Sequence, residues 1–381
     1  MKFLVVTGIF PPDHGGPASY VPRMACALKG RGHDIVAIVT LSDTLENNDR
    51  IFGFKIVRLL RSEFKPFRWA RTVFTIWKYA ARADVIYLNG LVMEGVVATR
   101  LLRRKPTAVK VVGDLIWEKA RNANATSLDI DTFQVAPMPV RWRILRWLQK
   151  SYTAWVDAVI VPSDYLARIV GGWGVNARRI HTVYNAIDSA ETAADGGASE
   201  TLTWDIVVVA RLVPWKGLVE VIEAAAEMRK SLKIVGDGPM RGELEALANK
   251  LGANVAFTGH VRQSQVVQEI RSARLFVLNS SYEGLPHIVL EAKSAGVPVL
   301  ATRVGGTPET IDHGVNGWLI QAGDSHALRK ALGLLLSDPS LLEELAAGGL
   351  EQMKMRFSFQ AMVDATEAIL QGIATPEREA A

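Results

Sequence analysis

Two glutamates, Glu283 and Glu291, bracket seven residues in the run Glu283-Gly284-Leu285-Pro286-His287-Ile288-Val289-Leu290-Glu291. Carboxylates accept hydrogen bonds from hydroxyls, so a pair at this spacing can hold two hydroxyl-bearing parts of one extended ligand. Gly284 permits a tight turn, and Pro286 suits the first turn of a helix whose free N–H groups point back toward Glu283. Such a helix start is a ready anion site. A phosphate flanked by two hydroxyl-bearing groups is the layout of a nucleotide sugar.

Other segments bear on the same chemistry. Arg211 and Lys216 lie in Ala210-Arg211-Leu212-Val213-Pro214-Trp215-Lys216-Gly217, directly after an apolar run. Two cations on a strand-to-helix loop can converge on phosphates and neutralise the charge that grows as a diphosphate leaves. Gly236-Asp237-Gly238-Pro239 reads as turn scaffold with a ligand contact at Gly236. In Gly305-Gly306-Thr307-Pro308-Glu309, Thr307 as N-cap and Pro308 at the first helical position predict a helix start, with glycines open enough to admit sugar or phosphate. Near the N-terminus, Pro11-Pro12-Asp13-His14-Gly15-Gly16-Pro17 fills a strand-to-helix turn. Gly15 and Gly16 permit close backbone approach to an anion or an acceptor, and His14 is a candidate proton carrier.

Asp129-Ile130-Asp131 spells the D-x-D pair that can bind a divalent metal with a diphosphate. It falls in a long polar loop before Pro137 rather than at a strand end, so acceptor-side or structural use is expected. Seven scattered histidines and one cysteine, Cys26, make no zinc pattern. No Ser-His-Asp or P-loop pattern is present.

These segments need strands and helices to position them, and the chain alternates the two throughout. Phe3–Thr7, Ile35–Thr40, Val85–Leu88, Ala108–Val112 and Val159–Val161 read as strands. Ser19–Lys29, Gly95–Arg103, Arg141–Tyr152 and Asp164–Val170 read as helices. The alternation restarts with strands at Ile206–Val209, Leu232–Val235, Val255–Thr258, Leu275–Leu278 and Val297–Ala301. Between them run helices at Leu218–Met228, Met240–Lys250, Ser264–Arg271 and Val289–Ala295. Continuously apolar strands alternating with helices indicate an α/β fold with parallel sheets covered on both faces. The expected domains are 1–188, acceptor-binding; a linker at 189–200 rich in Ala, Gly, Ser, Thr and acids; 201–355, donor-binding; and 356–381, a last amphipathic helix that crosses back to the first domain, then a tail. Two doubly wound domains are expected to face each other, with ligand at the C-terminal ends of the strands.

Charge divides the chain unevenly. Residues 1–190 hold 27 Lys and Arg against 15 Asp and Glu, whereas 191–381 hold 17 against 24. Lys65-Pro66-Phe67-Arg68-Trp69-Ala70-Arg71 with Trp77-Lys78, and Arg141 through Lys150, interleave cations with Trp. Such helices suit an anionic membrane surface or an anionic lipid-linked ligand. Nucleic acid competes as a partner, and a solvated basic face with inward Trp is the plain alternative. No apolar run approaches the roughly 20 residues that span a bilayer, and the N-terminus reads as a first strand, so a cytoplasmic location is expected.

In combination and order, the Gly15-Gly16 loop, Val161-Pro162-Ser163, Arg211 with Lys216, Gly236-Asp237-Gly238-Pro239 and Glu283 with Glu291 resemble a retaining glycosyltransferase of family 4. The resemblance implies the GT-B fold of two facing Rossmann-like domains. It implies that Arg211 and Lys216 bind the donor diphosphate in place of a metal, that Glu291 holds the ribose and that Glu283, beside Gly284, Leu285 and Pro286, contacts the donor sugar. Backbone near Gly259, His260 and Val261 would border the base. The family's first-domain histidine is replaced here by Gly113, which points to Asp114, or to Trp117-Glu118, as a substitute. The expected activity is hexosyl transfer from a UDP- or GDP-sugar to a glycan or lipid-linked glycan in envelope or exopolysaccharide assembly. No cofactor, metal or nucleic-acid partner is expected. A sugar-nucleotide epimerase and a non-catalytic nucleotide-sugar sensor are the alternatives.

Overall fold

The computed structural model describes residues 1–13, 15–45, 49–123, 125–186 and 202–375, the side chains of 263 and 264 excepted. The chain forms two compact units, Met1–Val183 together with the chain from Gln360, and Tyr184–Phe359. The expected linker at 189–200 and the expected tail from Pro376 lie outside the described residues.

The first unit holds β1 (Lys2–Thr7), β2 (Asp34–Ser42), β3 (Ile56–Leu60), β4 (Val85–Asn89), β5 (Thr107–Lys110), β6 (Ala158–Val161) and β7 (Ile180–Thr182). They form one sheet in the order β3-β2-β1-β4-β5-β6-β7, with every pairing parallel. The second unit holds β8 (Trp204–Val209), β9 (Leu232–Val235), β10 (Val255–Gly259), β11 (Ala273–Leu278), β12 (Val299–Thr302) and β13 (Trp318–Ile320). Their order is β10-β9-β8-β11-β12-β13, again parallel. Both orders are doubly wound, and each reverses direction once, between β1 and β4 and between β8 and β11. Ligands of such sheets bind outside the carboxyl ends of the strands at that reversal.

The strands form where they do because helices cover both sheet faces. Phe3, Leu4 and Val6 of β1 and Phe276 and Val277 of β11 are fully buried, so alternate faces of each strand are equally apolar. Each fully buried Leu or Phe contributes roughly 1.5–3 kcal/mol.

Three expectations differ in detail. Gly95–Arg103 divides into an α-helix, Val92–Val96, and a π-helical turn, Val97–Leu102. A Cβ on Gly95 would sit 2.6 Å from a Leu88 methyl, so this glycine lets the helix lie close on β4. The strand expected at Ala108–Val112 ends at Lys110. The helix expected from Thr307 is one 3-10 turn, Thr307–Glu309, with no side-chain cap.

The last helix, Phe359–Ala374, belongs to the first unit and buries Met362, Val363, Thr366 and Leu370. Arg31 donates to Glu367 and to Asp364, and His33 Nε2 lies 2.6 Å from Glu367 Oε1. The His33 bond, joined by Arg31, holds the Glu367 carboxyl below its usual range.

Candidate active site

In the second unit, the loops leaving β8 and β11 flank the reversal of strand order. Lys216, from the first, and Glu283, from the second, form an ion pair with Nζ 2.5 Å from Oε1, both side chains more than four-fifths buried. The backbones are stitched as well: Ser281 N donates to Trp215 O at 2.8 Å, and Asn279 Nδ2 donates to Gly217 O at 3.0 Å. Gly217 has φ +60°, and a Cβ there would stand 2.2 Å from Asn279 O. Leu212 and Val213 are buried and anchor the β8 loop, leaving Arg211 exposed. Arg211 has no ion-pair partner among the described residues. One cation is thus held by Glu283, and a second, Arg211, is exposed on the same loop.

Glu283 is fixed from the β12 side. Gly306 N donates to Glu283 O at 3.0 Å, and a Cβ on Gly305, whose φ is +52°, would lie 1.8 Å from that oxygen. Gly305 and Gly306 therefore seat the Glu283 backbone. Gly236 works similarly for the other loop. Its Cβ would meet Ala210 O at 2.0 Å, while its N–H donates to Gly259 O at 2.9 Å. Leu212 N donates to Asp237 O at 3.0 Å. The ends of β8, β9, β10, β11 and β12 are locked into one layer of loops. His260 is exposed and Val261 half-buried in the loop after β10.

Glu291 is half-buried on the helix His287–Ser294, which begins one residue after Pro286. Leu285, between Gly284 and Pro286 in the chain, packs with Leu290, Met353 and Phe357. Two residues past Glu291 lies a group the sequence reading missed. Lys293 is 1% exposed, and its ammonium donates to Thr310 O at 2.5 Å, Asn316 Oδ1 at 2.8 Å and Gln352 Oε1 at 2.7 Å. The two amides in turn donate to Asp312 Oδ2 at 2.9 and 3.2 Å. Lysine and aspartate are joined through two amides that also orient the helix carrying Glu291. Burial pushes Lys293 down to about 7, with the Asp312 charge opposing and Arg356 reinforcing.

In the first unit, Gly15 has φ +136° at the start of the helix Gly16–Gly30, a conformation that favours glycine. His14 lies outside the described residues. Asp114 is 1% exposed and caps the helix Leu115–Asn122. Its Oδ1 accepts from Ile116 N at 2.9 Å, Trp117 N at 3.0 Å and Gln149 Nε2 at 3.0 Å, and its Oδ2 from Gln134 Nε2 at 2.7 Å. Four donors occupy this carboxylate, so the geometry makes Asp114 a positioning cap instead of the free acid expected to stand in for a histidine. Trp117 is buried and donates to Leu128 O. Asp129 caps the helix Ile130–Val135, where the Thr132 N–H bond holds its carboxyl below the usual range. Asp131 accepts from the Tyr165 hydroxyl at 2.8 Å, and burial with this bond pushes that phenol up. Both D-x-D carboxylates thus have internal bonds.

A second missed group is Lys110, at the C-terminal end of β5. It is 7% exposed, its Nζ has no hydrogen-bond partner among the described residues, and it lies 3.5 Å from the centroid of the Tyr20 ring. Burial pushes it down to about 7. Tyr20 and Tyr87 share a hydrogen bond at 2.8 Å, and burial raises Tyr20 to about 12. The only sequence signal for Lys110 is a cation interrupting the run from Ala108 to Val112.

Comparison with known proteins agrees with this architecture. The family model described as "Glycosyl transferase 4-like domain" matches residues 15–186, and "Glycosyl transferases group 1" matches residues 193–352. The lipopolysaccharide core biosynthesis glycosyltransferase LpsD of Rhizobium meliloti is 37% identical over 56% of this chain and 63% of its own length. A GDP-mannose-dependent monoacylated alpha-(1-6)-phosphatidylinositol monomannoside mannosyltransferase of Corynebacterium glutamicum is 25% identical over 97% of this chain and 98% of its own. Among solved structures, HepE of Anabaena in complex with UDP superposes with a TM-score of 0.75 over 98% of this chain and 100% of that one, at 20% identity. Fold and sequence together define a glycosyltransferase with two Rossmann-like domains of the GT-B type. The chain belongs to the family 4 type of these enzymes.

Proposed function

We propose that this glycosyltransferase moves a hexosyl group from a UDP- or GDP-sugar to a glycan or lipid-linked glycan, retaining the anomeric configuration and requiring no metal. The observation that carries the donor side is the Lys216–Glu283 ion pair at the strand-order reversal, with Arg211 exposed on the same loop. A diphosphate placed there accepts hydrogen bonds from Lys216 and Arg211, and Glu283 turns to hydroxyls of the sugar. Glu291, eight residues on and one turn into its helix, holds the ribose. Gly236, His260 and Val261 line the base side, and Gly15 and Gly16 the acceptor side.

The sugar C1–O bond breaks with its electron pair leaving on the diphosphate. The acceptor oxygen bonds to C1 from the same face, and its proton passes to the departing phosphate oxygen. Two cations on one loop, Lys216 held by Glu283 and Arg211 exposed, stabilise the charge that develops, which supports a reaction without a metal. The relatives' printed roles in lipopolysaccharide core and phosphatidylinositol mannoside chemistry support the acceptor class. A cytoplasmic enzyme in peripheral contact with an anionic membrane completes the reading.

The test is transfer from UDP-glucose, UDP-galactose and GDP-mannose to a panel of glycan and glycolipid acceptors in excess chelator, with the product linkage read by NMR. The expected product keeps the donor's anomeric configuration, and Lys216→Ala lowers kcat/KM by about 10²–10³. An inverted product, or unchanged turnover in the variant, contradicts the proposal.

A further inference from the structure

Three neighbouring segments of the first unit carry one outer surface. The helix Lys65–Ala80 packs against Val92–Leu102, and that segment packs against the helix Val140–Ala154. Residues 64–82, 100–105 and 140–155 contain thirteen Lys and Arg and no Asp or Glu. Along the third helix, Val140, Ile144 and Trp147 recur at i, i+4 and i+7, a single stripe, and all three are exposed, Trp147 by 64%. Arg143 and Lys150 lie in the same stripe and line one shallow groove with them. The opposite face buries Trp142, Gln149 and Thr153. The core is therefore satisfied without the outer stripe.

The same composition continues across the layer. Leu101 and Leu102 are more than half exposed beside Arg103, whose guanidinium lies 4.1 Å from the Trp77 ring centroid. Phe74, 59% exposed, stacks on Trp77 at 5.7 Å. Trp155, also exposed, accepts a bond from Arg100 through its carbonyl at 2.9 Å. Apolar side chains of this number on one surface mark an interaction site.

We infer that this helical surface docks the enzyme on an anionic lipid bilayer, with Val140, Ile144 and Trp147 entering the boundary between headgroups and acyl chains and Arg143 and Lys150 meeting lipid phosphates. The aliphatic members decide between partners. Nucleic acid uses aromatic faces for stacking, whereas Val140, Ile144, Leu101 and Leu102 gain from acyl chains and have no use against bases. The cations supply attraction to an anionic leaflet. This inference names the surface behind the proposed membrane contact and stands apart from the donor chemistry, which involves residues of the other unit.

Co-sedimentation tests it, using vesicles of phosphatidylcholine with and without roughly a third phosphatidylglycerol, at low and high salt. The full chain is expected to pellet with the anionic vesicles at low salt and to remain free with neutral ones. Arg143→Glu with Lys150→Glu should weaken binding by about tenfold or more. Ile144→Ser with Trp147→Ser should also weaken it, while Arg143→Lys with Lys150→Arg keeps it. Circular dichroism and nucleotide binding, read on the same samples, report whether each variant is folded and whether the donor site is intact. Indifference to lipid charge, full binding by the Ser or Glu variants, or capture of a single-stranded oligonucleotide in preference to vesicles would overturn the inference.

Discussion

Lys110 and Lys293 are both buried and both pushed down to about 7, yet they do different work. Lys293 has an acceptor for each of its three protons, so its charge joins a helix, a loop and a second helix. Among the described residues, Lys110 meets the Tyr20 ring face and no hydrogen-bond acceptor. Lys110→Met removes a buried cation with no hydrogen-bond partner among the described residues and is expected to stabilise the fold at pH 7. The sign with pH follows from linkage. The unfolded chain keeps the lysine proton up to its ordinary value of 10.5, while the native state releases it near 7. Between these values the unfolded state binds more protons, so native stability rises with pH across the window. Urea unfolding at pH 7 and pH 10 should show that rise in the parent and less of it in Lys110→Met; an equal rise in both would place the titration elsewhere.

Among the elements, strand ends matter most. Strands were legible because burial on both faces leaves unbroken apolar runs, and the helices around them were legible from their period. The loops carrying Arg211, Lys216 and Glu283 read as parts of one donor site, but the contacts between those loops were not legible. Lys216 and Glu283 stand 67 positions apart, and nothing in either segment announces the pairing. Gly305 and Gly306 read as an opening for ligand because a glycine pair after a strand looks the same whether it faces solvent or another backbone. Asp114 read as a substitute acid because two of its four donors, Gln134 and Gln149, come from separate stretches of chain, while the other two are the local N–H groups of the helix it caps. At Gly305, both the positive φ and the close approach to Glu283 O exclude a side chain. Gly305→Ala should displace the Glu283 loop and weaken nucleotide-sugar binding by about tenfold, with the melting temperature falling by only a few degrees. Full affinity in that variant would mean that the glycine pair does not seat Glu283.

For the whole molecule, the sequence made two doubly wound units readable, while the strand order, and with it the reversal in each sheet, came from the structure. The contacts that close the first unit were less readable, since Glu367 meets Arg31 and His33 more than 330 positions away in the chain. Charge also divides by unit: the basic surface lies in the first, and the candidate phosphate site uses two cations of a second half that is acidic overall. The two can therefore be tested separately. The central claim is that Lys216 and Arg211 receive a nucleoside diphosphate without a metal, and calorimetric titration of UDP and GDP in excess chelator addresses it directly, with Lys216→Ala in parallel. One nucleotide should bind the parent, and loss of a charge-assisted contact worth about 1.5–3 kcal/mol should weaken the variant by at least about tenfold. Equal affinity in parent and variant, or binding that returns only with a divalent cation, would contradict the account.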